Sequence, residues 1–204
     1  MADSDLNEFE LIGRLTHGLP SRPDVEQAAG DDCAVLDPSG NMLLLATCDS
    51  QVEDVHFTFG TSSPEDIGRK ALAINISDIA AMGGEPRYAL ISLVLPTQGS
   101  FQLEVLEGIY SGLRQEAEQF NVAIVGGNVA GTSQHENSPL IIDITLLGAI
   151  ERGYALLRSG AGAGDTLCVT GSPGDSRAEW PRTPPGGARR SRWGPRSPIG
   201  PYRP

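Results

Sequence analysis

Apolar residues recur along this chain at two spacings, and the change of spacing separates strands from helices. Residues 33 to 37, 42 to 49 and 52 to 57 are short aliphatic runs of strand type. Asp37-Pro38-Ser39-Gly40 supplies turn chemistry between the first two, so a hairpin is expected there. Ser63 ahead of Pro64, Glu65 and Asp66 is a helix start, because a hydroxyl can accept from an unpaired first-turn amide and proline is tolerated at the first helical position. That helix should run to Gly83-Gly84. Strands are expected at about 86 to 95, 122 to 126, 139 to 149 and 166 to 170, with a helix near 101 to 120. Residues 5 to 17 read as a further amphipathic helix, with Asp5 and Glu8 as a capping pair and Gly18, Pro20 and Pro23 ending it. The pattern is α+β.

Composition narrows the function classes. A net charge of -11 disfavours nonspecific binding to nucleic acid or anionic membrane, since both require a positive surface. No run approaches the roughly 20 apolar residues that cross a bilayer, and Met-Ala-Asp-Ser-Asp is unlike a signal peptide, so a cytoplasmic location is expected. Cys33, Cys48 and Cys168 lack Cys-x-x-Cys spacing and lie in apolar runs, which predicts reduced and mostly buried thiols and argues against zinc. From Ser172 to Pro204 the composition shifts to Arg, Pro, Gly and Ser, with both tryptophans and no apolar period. Such a segment buries too little apolar surface to offset its ordering entropy, so a disordered tail is expected over 177–204. Out-of-frame translation of a GC-rich gene accounts for that composition better than a basic arm for an acidic partner.

Three acidic clusters interrupt apolar segments: Gly30-Asp31-Asp32-Cys33, Thr47-Cys48-Asp49 and Asn75-Ile76-Ser77-Asp78. A lone ionised carboxylate taken out of water costs several kcal/mol, so buried acids come with a metal, a basic partner or a raised pKa. Lys70 is the only lysine, which makes metal ions the expected source of compensating charge. Ile67, Ala71, Ile74 and Asp78 follow one helical stripe, so the Asp78 carboxylate should point inward. Asp31 and Asp32 enter a strand, and alternation should send them to opposite faces. Hard divalent cations take oxygen ligands, and Mg2+ is commonly held by one or two carboxylates together with substrate phosphates and water.

A second constellation is Ala123 to Val125 running into Gly126-Gly127-Asn128, where glycine permits close backbone approach and an amide oxygen can face a cation. In isolation the same string is an ordinary turn. His56 is either a substrate contact or a polar strand end. The chain contains no Gly-x-x-x-x-Gly-Lys-[Ser/Thr] loop, so any phosphoryl transfer would rely on carboxylate-held Mg2+ rather than on a lysine.

Taken in order, these motifs resemble the thiamine-monophosphate kinase family of the aminoimidazole ribonucleotide synthetase superfamily. The resemblance is carried by Gly30-Asp-Asp-Cys-Ala-Val-Leu36, Thr47-Cys-Asp-Ser-Gln-Val-Glu-Asp-Val-His-Phe57, Lys70 to Gly83, Val125-Gly-Gly-Asn128, Leu157-Arg-Ser-Gly-Ala161 and Gly164 to Gly171, and it covers residues 8 to 176. It implies an N-terminal domain of the aminoimidazole ribonucleotide synthetase type, a mixed β-sheet flanked by helices. It also implies transfer of the ATP γ-phosphoryl group to thiamine phosphate with Mg2+ as cofactor, and a homodimer that pairs its sheets. By the same resemblance Asp32, Thr47, Cys48, Asp49, Asp78 and Asn128 match metal positions, Tyr110, Gly127, Asn128 and Arg158 match nucleotide contacts, and His56 matches a substrate contact. Cys48 stands where threonine is common, and Asn128 where many members have aspartate. The expected organisation is an ATP- and Mg-binding domain over 1–150, the start of a truncated second domain over 151–176, and the tail. Two alternatives stay open: another ATP-dependent kinase or synthetase of the superfamily, or a dimerisation module without catalysis.

Overall fold

The computed structural model describes residues 12, 15–17, 20–96, 103–132 and 138–169. Most of the helix expected at 5–17 and all of the tail lie outside them. Six strands form one sheet: β1 (Val25–Gln27), β2 (Ala34–Leu36), β3 (Met42–Val52), β4 (Glu85–Pro96), β5 (Ala123–Thr132) and β6 (Ile141–Glu151), in the order β1-β2-β3-β6-β4-β5. Every pairing is antiparallel except β4 with β5. The β2–β3 hairpin joins in the register Val35 to Leu45, as its turn chemistry predicts.

Two helices, α1 (Pro64–Ala81) and α2 (Leu103–Gln119), belong to the crossovers β3-α1-β4 and β4-α2-β5. The Ser63 hydroxyl accepts from the Asp66 amide at 3.1 Å and donates to the Asp66 carboxylate at 2.8 Å, so both partners of the N-cap are satisfied. At the other end Gly83 adopts φ 78° and the Gly84 amide donates to the Ile79 carbonyl at 3.0 Å, a glycine-terminated helix end. The helix boundaries therefore fall where the sequence places them.

β6 is the central strand. Ile142, Ile144 and Leu146 are fully buried on the helix-covered face together with Leu45, Ala89, Ile91 and Leu93, and α1 contributes Ile67, Ala71, Leu72 and Ile79. The opposite face carries Ser50, Ser92, Leu90, Tyr88 and Leu147 and has no covering element among the described residues; Tyr88 is 48% and Leu90 42% exposed. Glycines set how closely α1 and α2 approach. A Cβ on Gly112 would stand 2.7 Å from the Glu65 carbonyl carbon and 3.0 Å from the Arg69 nitrogen. One on Gly68 would stand 2.9 Å from both the Ile109 carbonyl carbon and the Leu113 nitrogen. The helices thus touch backbone to backbone.

Several expectations differ from the structure: residues 53 to 57 form no strand, and Gly126-Gly127-Asn128 lies inside β5 rather than at a turn. β3 continues unbroken through Ser50 to Val52, because every residue from Met42 to Val52 has a partner on β6. Residues 166 to 169 form no strand, and Leu167 is 99% exposed, so this apolar run has no neighbour to pair with among the described residues. Of the three thiols only Cys33 is buried; Cys48 falls on the uncovered face and Cys168 in the unpaired segment.

Candidate active site

Asp78 lies on the inner side of α1 and accepts a hydrogen bond from the Thr47 hydroxyl of β3 at 2.8 Å. The inward direction expected from the apolar stripe is the one observed. α1 runs antiparallel to β3, since Lys70 Nζ near its start donates to the His56 carbonyl at 2.6 Å, beyond the far end of β3. Asp78 is half-buried, and burial is the largest influence holding its carboxyl above the ordinary value. The Thr47 hydroxyl opposes that rise, Asp49 and Asp32 add to it, and Arg158 opposes it.

The neighbouring thiol reports the same concentration of charge. Cys33 is pushed up to about 12, first by burial and then by Asp78, Asp32 and Asp31. Residues from the β1–β2 loop, β3 and α1 therefore converge on one point, with carboxylates outnumbering cations. Arg158 is the cation that reaches it. Its guanidinium hydrogen-bonds to Asp32 Oδ1, its Nε lies 3.9 Å from Asp31 Oδ1, and its backbone amide donates to Asp31 Oδ2 at 3.1 Å. Asp31 and Asp32 thus serve one arginine, contrary to the expected opposite facing, because residues 32–33 form a bend ahead of β2 and are not yet extended.

The sheet divides the remaining predicted residues. Thr47 faces α1, whereas Cys48 points to the uncovered side, where its Sγ accepts from Thr145 Oγ1 at 3.5 Å. Asn128 is exposed and pairs in register with Ser92 of β4; Ser92 pairs with Asp143 of β6, and Asp143 with Ser50 of β3. The Ser50 hydroxyl donates to Asp143 Oδ1. A polar row thus crosses four strands of the uncovered face, and Asn128 shares that row rather than the Thr47–Asp78 side. The sequence reading missed this row. Its one local signal is the charge inside Ile141-Ile142-Asp143-Ile144, which only strand register connects to Asn128.

Gly127 has a structural reason to lack a side chain, since a Cβ there would lie 2.6 Å from the Ile91 carbonyl carbon of β4. Tyr110 is on α2, half-buried against the core, and lines a cavity of about 580 Å³ with Leu103, Leu106, Glu107 and Arg114, apart from the acidic cluster. His56 is exposed and its Nδ1 accepts from the Val52 amide at 3.0 Å, which leaves Nε2 to carry the ring proton outward.

The donors suit Mg2+ in kind, since carboxylates and a hydroxyl are hard oxygen ligands. Among the described residues no group of three His, Cys, Asp or Glu side chains is assembled to hold a metal. That arrangement fits an ion completed by substrate phosphates and water, and does not fit a dedicated protein cage.

A mixed sheet with two helices on one face, and acids gathered at the junction of β2, β3 and α1, defines a class as well as a site. The AIR synthase related protein, N-terminal domain, family matches residues 30–150, and the chain belongs to that family. Within it the chain is 39% identical over 173 residues to the thiamine-monophosphate kinase of Bacillus subtilis, covering 85% of this chain and 51% of that one. It is 37% identical over 172 residues to the Escherichia coli thiamine-monophosphate kinase, covering 84% and 50%. The solved structure of AaThiL complexed with AMPPCP and TMP superposes with a TM-score of 0.67 at 34% identity, over 79% of this chain and 47% of that one. The thiamine-monophosphate kinase of Aquifex aeolicus gives 0.58 at 30% identity, over 74% and 45%. The chain spans about half the length of the curated relatives it matches.

Proposed function

We propose that this chain is the ATP- and Mg2+-binding part of a thiamine-monophosphate kinase, an enzyme that moves the γ-phosphoryl group of ATP to thiamine phosphate and yields thiamine diphosphate and ADP. The observation that carries the reading is the convergence of Asp32 and the Thr47–Asp78 pair around Cys33, with Asp49 acting on Asp78 and Arg158 beside Asp32. The likeness to kinases of which the match covers about half supports it, with residues 151–176 read as the start of a further domain.

In this reading Asp78 with the Thr47 hydroxyl, and Asp32 and Asp49 with the Cys48 backbone carbonyl, would each supply one or two carboxylates to Mg2+ rather than join in one three-carboxylate cage, and the metal would neutralise triphosphate charge when bound. The chain's own part is positional. Thr47 fixes the Asp78 carboxylate by donating to Oδ2, leaving Oδ1 for a cation. Arg158 brings a planar fork suited to phosphate oxygens. His56, its ring oriented by the Val52 amide, directs an N–H toward substrate. Gly127, Asn128 and Tyr110 are assigned to the nucleotide. Because Asn128 shares a sheet face with exposed Tyr88 and Leu90, its assignment goes with a homodimer that covers this face. No helix among the described residues is long and apolar enough to cross a membrane.

Calorimetric titration with Mg-ATP of the chain and of Asp49→Asn tests the site. Binding that the variant loses by at least tenfold is expected. Equal binding by both, or none by either, would overturn the assignment. Product analysis with thiamine phosphate, on a chain carrying the second domain, separates this substrate from others of the superfamily.

A further inference from the structure

Arg158 already occupies the place a cation would take beside Asp32, and its attachment has two separable parts. The backbone is held by its own bonds: the Leu156 amide donates to the Met82 carbonyl at 3.0 Å and the Arg158 amide to Asp31 Oδ2 at 3.1 Å. The guanidinium is held separately, against Asp32 and near Asp31. The side chain can therefore leave Asp32 while the main chain stays where it is.

We propose that Arg158 is a resident counter-cation that holds Asp32 until triphosphate oxygens take its guanidinium, so that the divalent metal binds together with the nucleotide and poorly before it. The inference rests on the reading of Asp32 as a metal ligand and Arg158 as a nucleotide contact. A divalent ion approaching Asp32 alone must displace a permanently charged guanidinium and then sit beside it unpaired, so the two cations compete. Triphosphate removes the competition, because a planar fork of donors pairs with phosphate at least as well as with a carboxylate. By linkage, whatever factor the triphosphate adds to metal affinity, the metal adds to triphosphate affinity. The pair is a latch and not a lock: its side chains are 48% and 29% exposed, and solvent and salt screen an ion pair in that setting.

The test compares the chain with Arg158→Gln and Arg158→Lys, titrating Mn2+ followed by its EPR signal, with and without AMPPCP, with Asp49→Asn as reference and circular dichroism to confirm folding. Without nucleotide, Arg158→Gln should bind Mn2+ several-fold more tightly than the unaltered chain. The enhancement of Mn2+ binding by AMPPCP should fall by a similar factor. If Arg158→Gln binds Mn2+ no more tightly while Asp49→Asn still abolishes binding, Arg158 only fastens its segment; the inference is then wrong and the metal site stands. If the unaltered chain binds no Mn2+ even with AMPPCP, the site reading fails and the inference falls with it. Should Arg158→Gln not fold, Arg158→Lys decides, since it keeps the charge but loses the fork: reduced coupling between Mn2+ and AMPPCP supports the proposal, and undiminished coupling overturns it.

Discussion

Replacing Gly112 by alanine sets two well-measured effects against each other, and the structure says which one wins. In an exposed helix the change gains about 1 kcal/mol, because alanine loses less backbone entropy and has the higher helix propensity. Here the new Cβ would stand 2.7 Å from the Glu65 carbonyl carbon of α1, where ordinary contact begins near 3.4 Å. The Glu65 carbonyl oxygen would be nearer still, so the helices must part by roughly 1 Å or more. A radial gap of that size forfeits about a quarter to a half of each dispersion contact across the crossing, where Ile67, Ile109 and Leu113 are fully buried or nearly so. Overpacking of this kind costs about 1–3 kcal/mol, and rigid backbone atoms this close put the change at the upper end, so after the helix-propensity gain the net destabilisation should be about 2 kcal/mol, or roughly 4–8 °C in Tm. Gly68 lies at the same crossing, and its alanine variant should behave alike. Once one Cβ has parted the helices the second meets less resistance, so the double variant should lose less than the sum. Gly160→Ala is the control, with nothing within 4 Å of its Cβ, and should stay within about 0.5 kcal/mol. Urea and thermal unfolding followed by circular dichroism measure all four. A neutral or more stable Gly112→Ala, or full additivity with Gly68→Ala, would refute a backbone-limited helix contact.

Two further outcomes follow from the site and the sheet. Asp78→Asn removes a half-buried charge that Asp49 and Asp32 repel while keeping an acceptor for Thr47, so in EDTA at neutral pH it should melt a few degrees higher. On the proposed function, Mg-ATP should raise the melting point of the unaltered chain and not that of this variant; a lower melting point in EDTA would show that the carboxylates are not strained together. Leu90→Asp places a charge on the uncovered sheet face without entering the core, and sedimentation should show a dimer shifting to monomer with unfolding little changed. An unaltered sedimentation profile would mean that the homodimer, if formed, uses another surface.

Much of this molecule was legible in order along the chain, and the rest was not, for one physical reason. Hydrophobic period and capping chemistry are local, so the α1 boundaries, the β2–β3 hairpin and the inward direction of Asp78 follow from residues within a few positions of one another. The ordered motifs pointed to the family, and the family match over residues 30–150 agrees. Contacts between distant segments are another matter. Nothing near Arg158 announces Asp31 and Asp32, which precede it by 127 and 126 residues, and nothing near Asn128 announces Asp143 and Ser50. The extension of β3 through Val52 was equally hidden, since it depends on β6 supplying a partner for every residue. Local chemistry thus determined which elements form and which residues carry charge. Sheet register and helix packing alone decided which of those charges meet, placing Thr47 and Asp78 on one side of the sheet and Cys48 and Asn128 on the other, because a strand sends successive side chains to opposite faces and only its neighbours settle which face is which.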